Sequence, residues 1–251
     1  MREQPEQQAP PVQRLRIRYA KRGRLRFTSH RDFSRAFERA VFRARIPMAY
    51  SSGFNPHPRI SYAGAAPTGS ASEAEYLEIG LAEVLDPAKV HAELDAALPP
   101  GLDLIEVVAS AGGSLADLLE ASHWRITLPG TTPAAAAGAV EKMLATDEVM
   151  VERMTKKGLR TFDARAAIAS MVASAPIPDT DVSAESCAIL DVVLRHGTPS
   201  VRPDDVLAAL REISGLSASA AALQQRLAQG PLDPRNGTVG DPLSPDRDAA
   251  G

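Results

Sequence analysis

Two histidines and a row of arginines carry most of the chemistry open to the first quarter of the chain. Arg31, Arg35, Arg39 and Arg43 recur every fourth residue, so on a helix they share one side, where guanidinium groups can meet phosphates. His30 stands where a helix start leaves backbone N–H groups unpaired, beside Arg31, an arrangement that favours a phosphate. His57 lies between Pro56 and Pro58, next to Arg59. Either imidazole can act as a general base toward a ribose 2′-hydroxyl or as a general acid toward a 5′-oxygen, which makes His30 and His57 candidates for metal-independent RNA cleavage. Each also has a plainer role, His30 as the first residue of a helix and His57 as the shaper of a turn. Phe42 and Phe54 offer faces on which a base can stack, and Asn55 and Arg59 offer polar contacts in the same stiff loop.

The charge balance points the same way. The net charge is −3, yet residues 1–62 hold 14 Lys and Arg against 4 Asp and Glu, a balance of +10 that leaves −13 for the rest. Eight of the 11 aromatic residues fall in that same quarter. Positive charge interleaved with aromatic rings suits a polyanion with stackable bases; the alternative is a basic face that the acidic remainder neutralises within the molecule.

Other chemistries find little support. The glycine spacing from Gly64 to Gly69 resembles a phosphate loop but lacks its lysine, and no dinucleotide fingerprint, HExxH or GxSxG motif occurs. The single cysteine, Cys187, rules out a cysteine zinc site, an iron–sulfur cluster held by this chain and an internal disulfide. No cofactor and no metal are expected. His91, His123 and His196 stand alone and read as surface or cap residues. No apolar run is long enough for a membrane span and no signal-peptide pattern opens the chain, so a cytoplasmic protein with no membrane partner is expected.

The elements that must position these groups follow from periodicity. Leu15, Ile17 and Tyr19 alternate with Arg14, Arg16 and Arg18, a strand with an apolar and a basic face, and Leu25–Phe27 reads as a second strand piece. Ser29-x-x-Asp32 caps a helix over 30–45 that Pro47 ends. Phe33, Phe37, Ala40 and Ala44 form its core face, opposite the arginines. Phe42 breaks that pattern, lying about 20° from Arg35; packing on another element is its first reading, a platform for a base its second. Strands at 59–63 and 75–81, a helix at 87–98 and a strand at 102–109 complete the order β-α-β-β-α-β, a split βαβ unit. A similar order recurs with a strand at 124–128, a helix at 132–146, a hairpin around Lys156-Lys157-Gly158, a strand at 187–195 and a helix at 203–213, while 217–228 looks helical. The expected fold is α+β: two tandem ferredoxin-like sandwiches over 13–110 and 114–228, with disordered tails at 1–12 and 229–251.

The stretch from Leu25 to Ala40, then Ser52-Gly-Phe-Asn-Pro-His-Pro-Arg-Ile-Ser-Tyr62, then Pro67-Thr-Gly-x-x-Ser72-x-x-Glu75-Tyr, resembles the radical-SAM-linked family of unknown function. The likeness is strong over 14–110 and looser to about 228, through Lys156-Lys-Gly and Asp163-Ala-Arg165. In that family the domain is often fused after a cobalamin-binding radical-SAM enzyme, so the resemblance implies a separate radical-SAM enzyme subunit as a partner but supplies no activity. More distantly, the basic strand, arginine-rich helix and tandem units are similar to the CRISPR repeat-processing endonucleases, without the glycine-rich final loop of those enzymes. The leading expectation is an RNA-binding or RNA-modification accessory protein that holds tRNA or rRNA through Arg31, Arg35, Arg39, Phe42, Phe54, Asn55, His57 and Arg59. The rivals are an RNA endonuclease using His30 or His57 and an adapter for the radical-SAM enzyme.

Overall fold

A computed structural model describes residues 7–155, 158–176, 187–218 and 221–249. The chain divides into two compact units, one of residues 1–118 with 241–251 and one of residues 119–240. The fold is α+β. The first unit therefore includes the end of the chain, and the boundary falls at 118 instead of 110–114.

In the first unit, β1 (Gln13–Lys21), α1 (His30–Arg43), β2 (Ile60–Ala63), β3 (Ala71–Leu81), α2 (Pro87–Ala97) and β4 (Leu104–Ala109) follow one another. The strands are antiparallel in the order β4-β1-β3-β2. Leu15, Ile17 and Tyr19 of β1 and Leu77, Ile79 and Leu81 of β3 meet Phe33, Phe37, Ala40 and Val41 of α1 in one buried core, where Phe37 is fully enclosed. Tyr19 stacks on Phe33 with ring centres 4.3 Å apart. The expected strand at Leu25–Phe27 is instead a 3-10 helix over Gly23–Phe27. Gly23 has φ 53°, a conformation that suits glycine, and turns the chain so that Leu25 N–H donates to the Arg22 carbonyl at 3.0 Å.

The caps of α1 explain its position. Ser29 Oγ accepts from Asp32 N–H at 3.2 Å and donates to the Asp32 carboxylate at 2.6 Å. At the other end, Ile46 N–H donates to the Val41 carbonyl at 3.2 Å and Arg45 takes φ 53°. This reversal normally uses glycine; an L-residue there costs about 1 kcal/mol. The helix accordingly stops at Arg43, two residues short of the expected end.

The basic face read for β1 is corrected by the chain's end. Arg16 is 1% exposed, and its guanidinium forms a two-pronged pair with Asp246 at 2.9 and 3.0 Å. It also donates to the Gly112 and Gly113 carbonyls at 2.7 and 2.9 Å and to Glu78 at 3.2 Å. Asp246 lies in α5 (Ser244–Asp248) and takes the Ala111 N–H as well, at 2.8 Å. Of the expected tail at 229–251, residues 241–249 therefore belong to the first unit, where the Asp246 carboxylate answers a buried cation, and 229–240 belong to the second unit, where they continue a strand and form a short strand pair; residues 250 and 251 lie outside the described residues. Residues 7–12 are also placed: Val12 N–H donates to the Leu81 carbonyl at 2.9 Å and Gln8 N–H to Ser52 Oγ at 2.9 Å. Residues 1–6 of the expected tail lie outside the described residues.

The second unit contains β5 (Ala121–Pro129), α3 (Pro133–Ala145), the hairpin β6 (Met150–Thr155) and β7 (Gly158–Asp163), β8 (Ile168–Ser174), β9 (Cys187–Arg195), α4 (Pro203–Ser214), β10 (Leu223–Gly230), β11 (Leu232–Asp233) and β12 (Thr238–Val239). Its sheet runs β10-β5-β9-β8, all antiparallel, and the β6–β7 hairpin pairs with itself. Lys156 and Lys157 lie outside the described residues. The expected helix at 217–228 is corrected to a strand: in the alanine-rich stretch the register of β10 against β5 outweighs helix propensity, and Arg226, opposite Trp124, stacks over its ring at 5.5 Å. β8 escapes the sequence reading because its small residues make no alternation.

Removing one partner of a buried ion pair strands the other charge, so Asp246→Ala should destabilise the protein by about 3–5 kcal/mol. In a denaturant titration, replacing Arg16 by Met and Asp246 by Leu together should recover most of that loss; an unchanged midpoint for Asp246→Ala would remove the pair from its structural role.

Candidate nucleic-acid interface

The arginines of the first unit fall into two classes. Arg14 pairs with Glu78 at 3.0 Å, Arg22 with Glu73 and with Asp103 at 2.5 and 2.9 Å, and Arg18 Nε donates to the Glu73 carbonyl at 2.8 Å. These serve the fold, as Arg16 does. Arg31, Arg35 and Arg39 project from the outer side of α1 and form no salt bridge with any described residue. Arg43, one turn on, donates to the Ala97 carbonyl.

Arg35, Glu38, Arg39, Phe42 and Arg43 line an open groove of about 460 Å³. Phe42 is 84% exposed, which overturns its packing role, and Phe54 is 69% exposed. A second groove of about 280 Å³ is lined by residues that include Arg14, Ser51, His57, Arg59 and Glu78. Its loop is pinned at the neck: Ser51 N–H donates to the His57 carbonyl at 2.9 Å and Ser51 Oγ accepts from His57 N–H at 3.0 Å. Arg59 Nε donates to the Tyr50 carbonyl at 3.1 Å. The eight expected contact residues are therefore distributed: Arg35, Arg39 and Phe42 share one groove, His57 and Arg59 the other, and Arg31, Phe54 and Asn55 line neither.

His30 opens α1 and meets the edge of the Tyr62 ring at 4.9 Å. Tyr62 has its phenol held above the usual tyrosine range, chiefly by burial, with Ser34 lowering it and the nearby Glu38 carboxylate raising it by less. The loop that resembles a phosphate cradle has its amides in use: Gly69 N–H donates to the Arg26 carbonyl at 2.8 Å, and Ala66 N–H faces the Glu75 carboxylate at 3.2 Å. Cys187 is buried.

Two features escaped the sequence reading. Glu38 sits inside the arginine groove, a position its i+4 spacing to Phe42 could have revealed. His196, taken as isolated, lies 2.7 Å from Ser122 Oγ and 2.7 Å from the Leu119 carbonyl. A carbonyl only accepts, so Nδ1 carries the proton and Nε2 accepts from the Ser122 hydroxyl. The pair has the spacing of a nucleophile and base, but Ser122 is 1% exposed, which makes it a buried tie between β5 and the end of β9.

Over residues 14–203 the chain matches the family described as "Uncharacterized protein conserved in bacteria (DUF2344)". The chain belongs to that family. Among curated proteins none matches. A solved structure titled "Crystal Structure of an Unknown Protein from Galdieria sulphuraria" is similar at 12% identity over 85% of this chain and 98% of the other, with a TM-score of 0.24, too low to bear on the fold. Among the described residues no helix is long and apolar enough to cross a membrane.

Burial lowers the pKa of His196, opposed by its bond to the Leu119 carbonyl and aided by the positive Arg226. The unfolded chain therefore binds a proton that the folded chain resists, and stability tied to neutral His196 is present above the ordinary histidine value of about 6.5 and lost as pH falls below it. Melting curves between pH 8 and pH 5 should show this acid slope, and His196→Asn should flatten it; an equal slope in the variant would assign the acid sensitivity elsewhere.

Proposed function

We propose that this protein is an accessory RNA-binding protein that holds structured RNA, of the tRNA or rRNA kind, on the outer face of α1. The observation that carries the reading is the α1 groove, where Arg35 and Arg39 stand without ion-pair partners among the described residues around a phenylalanine 84% exposed. Unneutralised guanidinium groups attract phosphates at long range. A solvent-facing aromatic ring among them offers stacking that a purely electrostatic surface lacks. The loop groove of His57 and Arg59 supplies a second set of contacts, with Asn55, Phe54 and Arg31 on the flanks.

We read each unit as a ferredoxin-like sandwich, and the order of its four sheet strands supports that. The resemblance to the radical-SAM-linked family suggests that the RNA is presented to a separate radical-SAM enzyme; this chain, with Cys187 alone, lacks the three thiolates such a cluster requires. A cytoplasmic site of action fits this role.

Replacing Arg35 and Arg39 together by Glu should abolish binding of a tRNA mixture in a gel-shift titration and leave the melting temperature unchanged, since both side chains lie opposite the core face. Undiminished binding would displace the site from α1. If wild-type protein releases a fragment ending in a 2′,3′-cyclic phosphate and His30→Ala or His57→Ala stops it, the endonuclease reading takes first place.

A further inference from the structure

Glu38 is the anomaly of the α1 groove. It lies three residues after Arg35, next to Arg39 and four before Phe42, and with them it lines the same 460 Å³ space. It is exposed, yet it forms no salt bridge or hydrogen bond with any described residue. A carboxylate there repels phosphate, so on a surface that serves only to collect phosphates it would be a defect. It becomes useful if what approaches it is a pair of N–H donors.

The neighbouring ring suggests which donors. A base stacked on Phe42 brings its edge outward along the helix surface, toward side chains one turn away, and Glu38 is one turn away. The Watson–Crick edge of guanine sets N1–H beside the N2 amino group, two donors that match the two oxygens of a carboxylate. Adenine places the N1 lone pair there, uracil flanks its single N–H with two carbonyls, and cytosine sets an acceptor beside its amino group. Of the four bases guanine alone offers two adjacent donors and no acceptor between them, and that edge is free only where the guanine is unpaired.

Building on the RNA-binding reading above, we infer that the α1 groove is a subsite for one unpaired guanine, stacked on Phe42 and read by Glu38, with its flanking phosphates on Arg35 and Arg39. The site then combines a sequence-independent part, the arginines, with a base-specific part, and it selects single-stranded loops or ends of a structured RNA over its helices.

The test uses the full chain and fluorescently labelled uridine-rich RNA oligonucleotides with a single central guanosine, inosine or adenosine, read by anisotropy, beside a blunt RNA duplex. The guanosine oligonucleotide should bind about tenfold or more tighter than the adenosine one, as a two-pronged base contact requires, with inosine, which lacks the N2 amino group, between them. Glu38→Gln should bring guanosine and adenosine within about twofold of each other, because the guanosine oligonucleotide loses its two-pronged contact while affinity for the adenosine one holds or rises as the repulsive charge is removed. Phe42→Ala should weaken the guanosine oligonucleotide about tenfold at an unchanged melting temperature, and Phe42→Trp should restore it. Equal affinity for the three oligonucleotides, or a preference that survives Glu38→Gln, overturns the guanine subsite. If binding still vanishes when Arg35 and Arg39 become Glu, RNA binding by α1 stands without the subsite. Absence of wild-type binding to every oligonucleotide and to tRNA overturns both readings.

Discussion

A guanidinium group cannot be buried without anions around it, because removing its charge from water costs far more than packing its stem returns. Arg16 meets that constraint by drawing in the two Asp246 oxygens, Glu78 and the carbonyls of Gly112 and Gly113. The two glycines adopt φ 103° and 71°, which lets consecutive carbonyls face one cation. Much of the first unit follows from this one demand. It sets the path of the chain after β4, gives α5 its place and turns a Pro-, Gly- and Asp-rich segment into part of the core.

The same demand sorts the basic residues into those that hold the fold and those available to a ligand. Arg14, Arg16 and Arg22 spend their charge on Glu78, Asp246, Glu73 and Asp103. Arg31, Arg35 and Arg39 have no such partners among the described residues. The excess of +10 in the first quarter is therefore uneven in its effect: the strand charges are answered internally, and the helix charges face solvent. On that surface Phe42 stands unsheltered among the arginines.

What was legible in the sequence was whatever depended on local pattern. The N-cap, core face and arginine side of α1, the β-α-β-β-α-β order of the first unit and the limits of β9 all follow from spacing. What was illegible depended on partners distant in the chain. Nothing near Arg16 in sequence announces Asp246, 230 residues away, and alternation alone puts Arg16 on the same outer face as Arg14. The strand at 223–230 reads as a helix because the alanines just before it, within 217–222, give a helical pattern, and nothing in that pattern shows that β5 has an edge to be paired. The solvent exposure of Phe42 depends on the absence of a packed neighbour, which no periodicity can reveal, although its spacing to Glu38 stands in the sequence.

On the proposed reading, the α1 arginines bind RNA by releasing counterions from its phosphates. The direct measurement is the affinity of the whole chain for tRNA across a range of salt concentrations. Contact with about four phosphates predicts that log K falls with log salt at a slope of about −3 to −4. A slope near zero, or binding that strengthens with salt, would contradict the account.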